Sequence, residues 1–228
     1  MPTLDWLRKE FHYGYSSGDV LAWFPDKHRK EEERQIVGSY RRFFMREVKP
    51  RLRPDFKVLE LGPGRGSWSR SLLKYLPKGE LHTVDFQDVS QWLQPKLYDG
   101  RLTCHQVTDN TMAPVPDAYF DLFFSLGVLC HNNATDIQTV LTNARKKVKP
   151  GGIAIQHYGD WKKLDALGWA THHNIPKDFQ NKRDDEIWWP RNDQETMRRC
   201  CESAGWKVVS IDLGSFGRDS VALLENPR

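Results

Sequence analysis

The stretch KVLELGPGRGSWSRSLLKYL, from Lys57 to Leu76, decides the fold of this chain. Val58, Leu59 and Leu61 form a short apolar run of the kind found in a buried parallel strand. Three glycines and a proline follow within five positions, and from Ser67 the apolar residues recur at helical spacing. A strand, a glycine-rich turn and the N-terminus of a helix together predict a nucleotide-type binding edge.

The glycine spacing separates two kinds of nucleotide cofactor. A dinucleotide fingerprint has glycine at the first, third and sixth positions of the turn, but here the sixth position is Ser67. Glu60 also places a carboxylate just before the turn. A pyrophosphate needs no carboxylate beside it, whereas the free amino group of a sulfonium cofactor can pair with one. An ordinary strand–turn–helix without a ligand stays open as the alternative, because glycine-rich turns recur without ligands.

The string E-L-G-P-G-R-G, from Glu60 to Gly66, resembles motif I of the class I S-adenosylmethionine (SAM)-dependent methyltransferases. The resemblance spans about residues 58–226. It implies an α/β fold: a Rossmann-like, doubly wound sheet of seven strands, mostly parallel, that closes with a C-terminal antiparallel hairpin. It also implies SAM as the cofactor and S-adenosylhomocysteine as the product.

Further cofactor residues are predicted along the chain. Asp85 ends the second predicted strand, 23 residues after Gly62, close to the spacing expected for an acid that accepts hydrogen bonds from ribose hydroxyls. Phe86 follows it and is placed against the adenine. In the resemblance, an acid after the third strand takes the adenine amino group, and Asp109 matches it. The predicted cofactor set is Glu60, Gly62, Gly64, Gly66, Asp85, Phe86, Thr108, Asp109 and Leu126.

Length and composition bound the other possibilities. The 228 residues suit one α/β domain with an accessory cap, and 39% apolar residues permit a sizeable core. A net charge of +4 is too small to argue for nucleic acid without a patch. The four cysteines have no CxxC spacing and are typical of reduced residues in a cytoplasmic protein. No signal peptide or membrane span is predicted.

The chain divides into an N-terminal helical and cap segment, residues 1–56, and a SAM-binding methyltransferase domain, residues 57–228. Within the N-terminal segment a helix is predicted over 31–48. Within the second domain, an aromatic and polar insertion at about 157–191 interrupts the pattern and is predicted to form a cap on the substrate side. The two segments 1–56 and 157–191 match no recognised pattern. Predicted strands span 81–85, 102–107, 121–126 and 153–156.

Methyl transfer needs little beyond positioning, but a hydroxyl acceptor also needs a base, and histidine suits that role best. His157 follows the fifth predicted strand, at the sheet edge where ligands bind. His131 falls where many relatives of the resembled family carry a histidine near the cofactor. Asp160 is a candidate orienter. The open alternative is that these side chains only pack or hydrogen-bond.

An apolar acceptor pocket is predicted from aromatic and histidine side chains in the two unmatched segments. The alternative is that each of these side chains only packs the cap onto the sheet. No metal site is predicted, because the histidines lack ligand spacing with a carboxylate. The predicted acceptor residues are Tyr13, Tyr15, Trp161, His172 and Trp188.

The sequence therefore predicts a cytoplasmic methyltransferase of a small molecule, with oxygen favoured over nitrogen as the acceptor. The predicted partner is the small-molecule acceptor, no membrane partner is predicted, and a homodimer stays open without being predicted. Two alternatives stay open: an RNA or protein methyltransferase that uses the basic 41–57 segment, and a SAM-binding partner subunit without activity.

Overall fold

The structure, a computed structural model, describes residues 16–228. A single seven-stranded sheet organises them, with strand order β3-β2-β1-β4-β5-β7-β6. Strands β1 to β5 are parallel, while β7 runs antiparallel to both β5 and β6. The strands are β1 (Lys57–Leu61), β2 (Glu80–Asp85), β3 (Leu102–Gln106), β4 (Phe120–Ser125), β5 (Val148–Gly159), β6 (Lys207–Ser210) and β7 (Asp219–Glu225). The predicted fold class is confirmed.

Helices cover both faces of the sheet, because successive residues of a strand point to opposite faces. In β1, Val58 belongs to one buried cluster and Leu59 to another. One face packs against the helices Ala134–Lys147 and Gln194–Ser203, and the other against the N-terminal helices and the helix Ser67–Leu73. The helices are α1 (Lys27–Gln35), α2 (Tyr40–Phe43), α3 (Ser67–Leu73), α4 (Ser90–Leu93), α5 (Ala134–Lys147), α6 (Trp161–Leu167) and α7 (Gln194–Ser203).

The N-terminal segment is not the single helix predicted over 31–48. The helix α1 ends at Gln35, since Val37 adopts φ +54° and Gly38 forms an isolated bridge to Phe216. The chain becomes helical again at Tyr40, capped by Ser39, and continues as a π-helix over Phe44–Val48. Anchoring to the loop before β7 therefore overrides the helical pattern of the sequence.

Strand β5 is longer than predicted at both ends. It starts at Val148, directly after α5, and ends at Gly159. Its partner β7 pairs with it from Ile153↔Glu225 to Gly159↔Asp219, so the three residues added at the C-terminal end are stabilised by a non-local ladder. As a result His157 lies inside the strand and not after it.

The region after β5 folds as a small cap with its own apolar cluster. Three short 3₁₀ segments, Thr171–His173, Lys177–Asn181 and Asp184–Glu186, follow α6. Leu164, Ile175, Phe179, Ile187 and Trp189 pack together there with Cys130, from the segment after β4. Cys130 thus ties the cap to the sheet.

Candidate active site

The main cavity opens where β1 and β4 lie side by side and the chain leaves them in opposite directions. Open α/β sheets bind ligands at this switch point, outside the carboxyl ends of the strands. The cavity has a volume of about 430 Å³. We call one side the glycine-turn wall, formed by Gly62, Gly64, Asp85, Phe86, Gln87, Asp109 and Leu126. We call the other the cap wall, formed by Ile36, Tyr40, His131, Ile175, Trp188, Trp189 and Arg218.

The glycine turn brings bare backbone to the cavity. Gly62 and Gly64 have φ of +66° and +54°, in the left-handed region that favours glycine. A Cβ at Gly62 would lie 2.5 Å from Val128 Cγ2, so the two loops after β1 and β4 meet without room for a side chain. The turn stays closed because the Gly62 amide donates to the Val84 carbonyl at 2.9 Å. Only glycine fits at this position.

Asp85, at the end of β2, presents a carboxylate to the same wall. Burial raises its pKa to about 6, against the opposing effect of backbone amides that include Gln87 and Gly64. The Gln87 amide donates to Asp85 Oδ1 at 2.9 Å. The side-chain Oε1 of Gln87 is buried and has no hydrogen-bond partner among the described residues. The wall therefore holds an acid and an unsatisfied acceptor side by side.

Asp109 and Leu126 also line the cavity, whereas Thr108 does not. The Asp109 carboxylate accepts hydrogen bonds from the amide and hydroxyl of Thr111, which lower its pKa. Asp109 is exposed, so its carboxylate can accept a further hydrogen bond from the cavity side. Thr108 is exposed and lies outside the lining.

Glu60 and Gly66 lie outside the cavity lining, unlike the other glycine-turn residues predicted to bind cofactor. Glu60 is 2% exposed, and its Oε2 accepts from the Ser69 hydroxyl behind the turn. Burial raises its pKa to about 8, so the group is largely uncharged at neutral pH. Gly66 begins α3 with φ +82° and packs against Leu93. Both residues therefore build the turn from behind.

His131 lies on the cap wall. Its Nδ1 donates to the Trp188 carbonyl at 2.8 Å, which leaves the lone pair of the neutral ring on Nε2. Burial lowers the pKa of His131 to about 4. The ring is therefore neutral at physiological pH and accepts a proton only weakly.

His157 lines the cavity but is only 3% exposed, with both ring nitrogens occupied. The Gly127 amide donates to its Nδ1 at 3.2 Å, and its Nε2 donates to Asp219 at 3.0 Å. Burial alone would raise the pKa of Asp219, but the Arg218 guanidinium and His157 together hold it far below its usual range. The arrangement orients the imidazole and leaves it no position from which to take a proton.

Asp160, Trp161 and His172 do not reach the cavity. Asp160 is 1% exposed and caps α6, where it also accepts hydrogen bonds from Ser220 and Gln194. Trp161 stacks edge-on against Trp169 at 4.8 Å. Among the predicted acceptor residues Trp188 does line the cavity, while Tyr13 and Tyr15 lie outside the described residues.

The sequence did not identify Ile175 and Arg218 of the cap wall, nor Gln87 of the glycine-turn wall. Arg218 is 6% exposed and bonds Asp219 with two of its nitrogens, at 2.8 and 2.7 Å. Its guanidinium lies 4.7 Å from the centre of the Trp189 ring. The adjacent Arg-Asp pair in a predicted hairpin was a signal, but nothing local showed that it faces a cavity.

The basic 41–57 segment lies mostly in contact with the protein itself. Arg46 and Arg51 pair with Glu47, and Arg41 stacks on Trp23 at 3.5 Å. Lys57 starts β1, at the end of the strand opposite the cavity. Within residues 16–228 no cluster of three or more metal-binding side chains occurs, and no helix is long and apolar enough to cross a membrane.

The glycine-turn wall fits an adenosyl cofactor. Its Asp85 carboxylate has the chemistry to accept from vicinal hydroxyls, the Gln87 Oε1 without a partner offers a further acceptor, and Phe86 supplies a ring. The glycines allow close approach of a ligand to main-chain atoms. No residue of this wall is a cation that would pair with a phosphate, which suits a cofactor without one.

Comparisons with known proteins agree with this geometry. A family model described as "Methyltransferase domain" matches residues 58–152. The ubiquinone/menaquinone biosynthesis C-methyltransferase UbiE of Burkholderia cenocepacia is 34% identical over 176 residues, which cover 69% of this chain and 70% of that protein. The UbiE of Bordetella avium is 29% identical over 133 residues, covering 52% and 51%.

Solved structures show the same fold at lower identity. A SAM-dependent methyltransferase from Aquifex aeolicus has a TM-score of 0.59 at 15% identity, covering 92% of this chain and 98% of its own. A protein from Pyrococcus horikoshii has a TM-score of 0.63 at 17% identity, covering 98% and 99%. The motif, the sheet order, the cavity and these relatives together lead to one conclusion. The chain belongs to the class I SAM-dependent methyltransferases, and it is an enzyme that uses SAM as its cofactor.

Proposed function

We propose that this enzyme methylates a small, largely apolar aromatic molecule at a ring carbon. The observation that carries the proposal is the cap wall, where Tyr40, Trp188, Trp189, Ile36 and Ile175 surround the cavity. Such a surface favours a flat apolar ring over a charged or highly hydroxylated molecule. In this proposal the segment 157–191 and the N-terminal segment form the acceptor cap.

The preference for oxygen rested on a histidine base, and the described residues lend it no support. The ring of His157 is engaged at both nitrogens, and the low pKa of His131 makes it a poor proton acceptor. A carbon acceptor needs no base in the transfer step itself, because an electron-rich ring carbon beside a phenolic hydroxyl is nucleophilic. The carbon–methyl bond forms as the sulfonium–methyl bond breaks, S-adenosylhomocysteine leaves, and the ring proton is then lost to solvent water as the ring regains its aromaticity. The UbiE relatives are named as C-methyltransferases, which supports the same choice.

The main contribution of the protein is to position the cofactor and the acceptor. SAM supplies a methyl group activated on a sulfonium, which needs no metal and no covalent intermediate with the protein. On the glycine-turn wall, we propose that Gly62, Gly64, Asp85, Phe86 and Asp109 hold the cofactor. The cap wall then holds the ring in line and excludes water, and alignment of this kind is worth on the order of 7–11 kcal/mol of barrier.

Product analysis tests the proposal. The enzyme is incubated with SAM and reduced para-quinols in matched pairs, one member with a free ring carbon beside the hydroxyl and the other with that carbon already methylated. We expect a new carbon–methyl bond, seen by mass spectrometry and NMR, with the free member only. An O-methyl product, or equal turnover of both members, would contradict carbon methylation.

A further inference from the structure

We propose that His157 is a positioning residue that anchors the Gly127 loop, the cavity-lining segment Leu126–Val128, so that the cofactor site is formed before the cofactor binds. The inference rests on a continuous hydrogen-bonded chain, Arg218–Asp219–His157–Gly127, in which every polar contact is within 3.2 Å. His157, Asp219 and Arg218 are at most 6% exposed, so the chain is shielded from competing water.

The chain sets the tautomer of His157. The Asp219 carboxylate only accepts, so the proton of the neutral ring sits on Nε2 and the lone pair on Nδ1. That lone pair accepts a hydrogen bond from the Gly127 amide, with the two nitrogens 3.2 Å apart. Arg218 keeps Asp219 charged and donates to the His173 carbonyl at 2.7 Å, which connects the anchor to the cap.

The loop needs such an anchor because of its conformation. Gly127 has φ +76°, and no atom lies within 4 Å of the position that a Cβ would take. The Val128 carbonyl accepts from the Asn132 side chain at 2.8 Å, whereas the Gly127 amide is held by His157. The next residue, Val128, contacts Gly62 of the glycine turn so closely that only glycine fits there. The position of the loop therefore controls the gap that the cofactor enters, and His157 is the side chain that holds the loop amide.

Two substitutions separate the two hydrogen bonds of the ring. His157→Asn keeps an acceptor at the position of Nδ1 and loses the donor to Asp219. His157→Gln keeps a donor near the position of Nε2 and leaves the Gly127 amide without an acceptor. If the anchor of the loop matters, the asparagine variant retains affinity for S-adenosylhomocysteine and the glutamine variant loses it.

Calorimetric titration with S-adenosylhomocysteine makes the comparison. We expect His157→Asn within about threefold of the parent and His157→Gln about tenfold weaker, the effect of one buried hydrogen bond. Equal losses in both variants would show that His157 only packs, and no loss in either would show that the loop needs no anchor. The matched controls are His105→Asn and His105→Gln, at a half-buried histidine of β3 that bonds His82.

Amide hydrogen exchange measured by NMR does not depend on the glutamine variant being folded. In the cofactor-free parent and in His157→Asn, we expect slow exchange of the Gly127 amide, because an acceptor is present in both. Fast exchange in the parent would overturn the proposal. A parent that fails to bind S-adenosylhomocysteine at all would instead contradict the placement of the cofactor, so the two failures are distinguishable.

Discussion

The glycine-turn wall and the cap wall enclose one cavity, yet they come from different kinds of sequence. Gly62 and Leu126 follow directly after parallel strands and Asp85 ends one, so three short local patterns bring them to one edge. The cap wall instead combines Ile36 and Tyr40, which flank the break between α1 and α2, with the segment around Trp188 and with Arg218 just before β7. Local pattern therefore specifies cofactor chemistry, while long-range packing shapes the acceptor side, where specificity among related enzymes can vary.

The largest expected effect is on the glycine-turn wall. We expect Gly62→Val to abolish S-adenosylhomocysteine binding in calorimetry, because the new side chain would collide with Val128 and fill the turn. Gly100→Val is the matched control, since Gly100 has φ +79° but nothing within 4 Å of an added Cβ. Both variants carry a left-handed backbone cost of roughly 1–2 kcal/mol. If Gly62→Val bound S-adenosylhomocysteine as tightly as the parent does, the assignment of the cofactor to the glycine-turn wall would be wrong.

The second-largest expected effect is that of Asp85→Ala. Hydrogen bonds to a charged group are worth about 1.5–3 kcal/mol, so we expect binding of S-adenosylhomocysteine to weaken roughly 10- to 100-fold. Because the pKa of Asp85 is about 6, affinity of the parent should also fall as the pH drops below that value. The affinity of the Asp85→Ala variant should not show this decrease at low pH. Unchanged affinity would remove Asp85 from the cofactor site, and Asp88→Ala, at an exposed carboxylate, serves as the control.

The cap wall gives a smaller and different effect. We expect Trp188→Leu to raise KM for an aromatic acceptor about fivefold, through lost ring contact. Affinity for S-adenosylhomocysteine should stay within about twofold, because Trp188 is on the other wall. Trp169→Leu is the matched control, since Trp169 lies outside the cavity lining. Equal loss of cofactor and acceptor binding would show that the two walls do not act separately.

Glu60→Gln should leave S-adenosylhomocysteine binding within about twofold of the parent, since Glu60 lies behind the turn. Its effect is on stability. The pKa of Glu60 is raised from 4.5 to about 8, so its contribution is fully present below pH 4.5 and is lost as pH rises through 8. The parent should lose up to about 1.4 kcal/mol per pH unit in that window relative to the variant. Urea unfolding at pH 5, 7 and 9 measures the difference, and parallel pH curves would contradict it.

Several elements were predictable because their signals are local. The strand, turn and helix of residues 57–76 and the C-terminal antiparallel pair all form as the sequence indicates. The predicted ends of helices and strands were wrong where non-local contacts set them. The C-terminal extension of β5 depends on its ladder with β7, and the break after α1 depends on contact with Phe216.

The site divides in the same way. Asp85 and Gly62 reach the cavity because the carboxyl ends of parallel strands share one edge. Glu60 sits one strand position from Leu61, and that single step sends its side chain into the interior, where it bonds Ser69. His157 looked like a base from its place after a strand, but its partners Gly127 and Asp219 lie 30 and 62 residues away.

The sequence by itself determined the class of fold and the kind of cofactor, because strand period, glycine spacing and strand-end acids act over a few residues. Only the tertiary structure decided which histidine nitrogens are already hydrogen-bonded, which carboxylates face the cavity and which aromatic rings form the cap wall. Those properties depend on burial and on partners distant in the chain, and a sequence pattern does not carry either one.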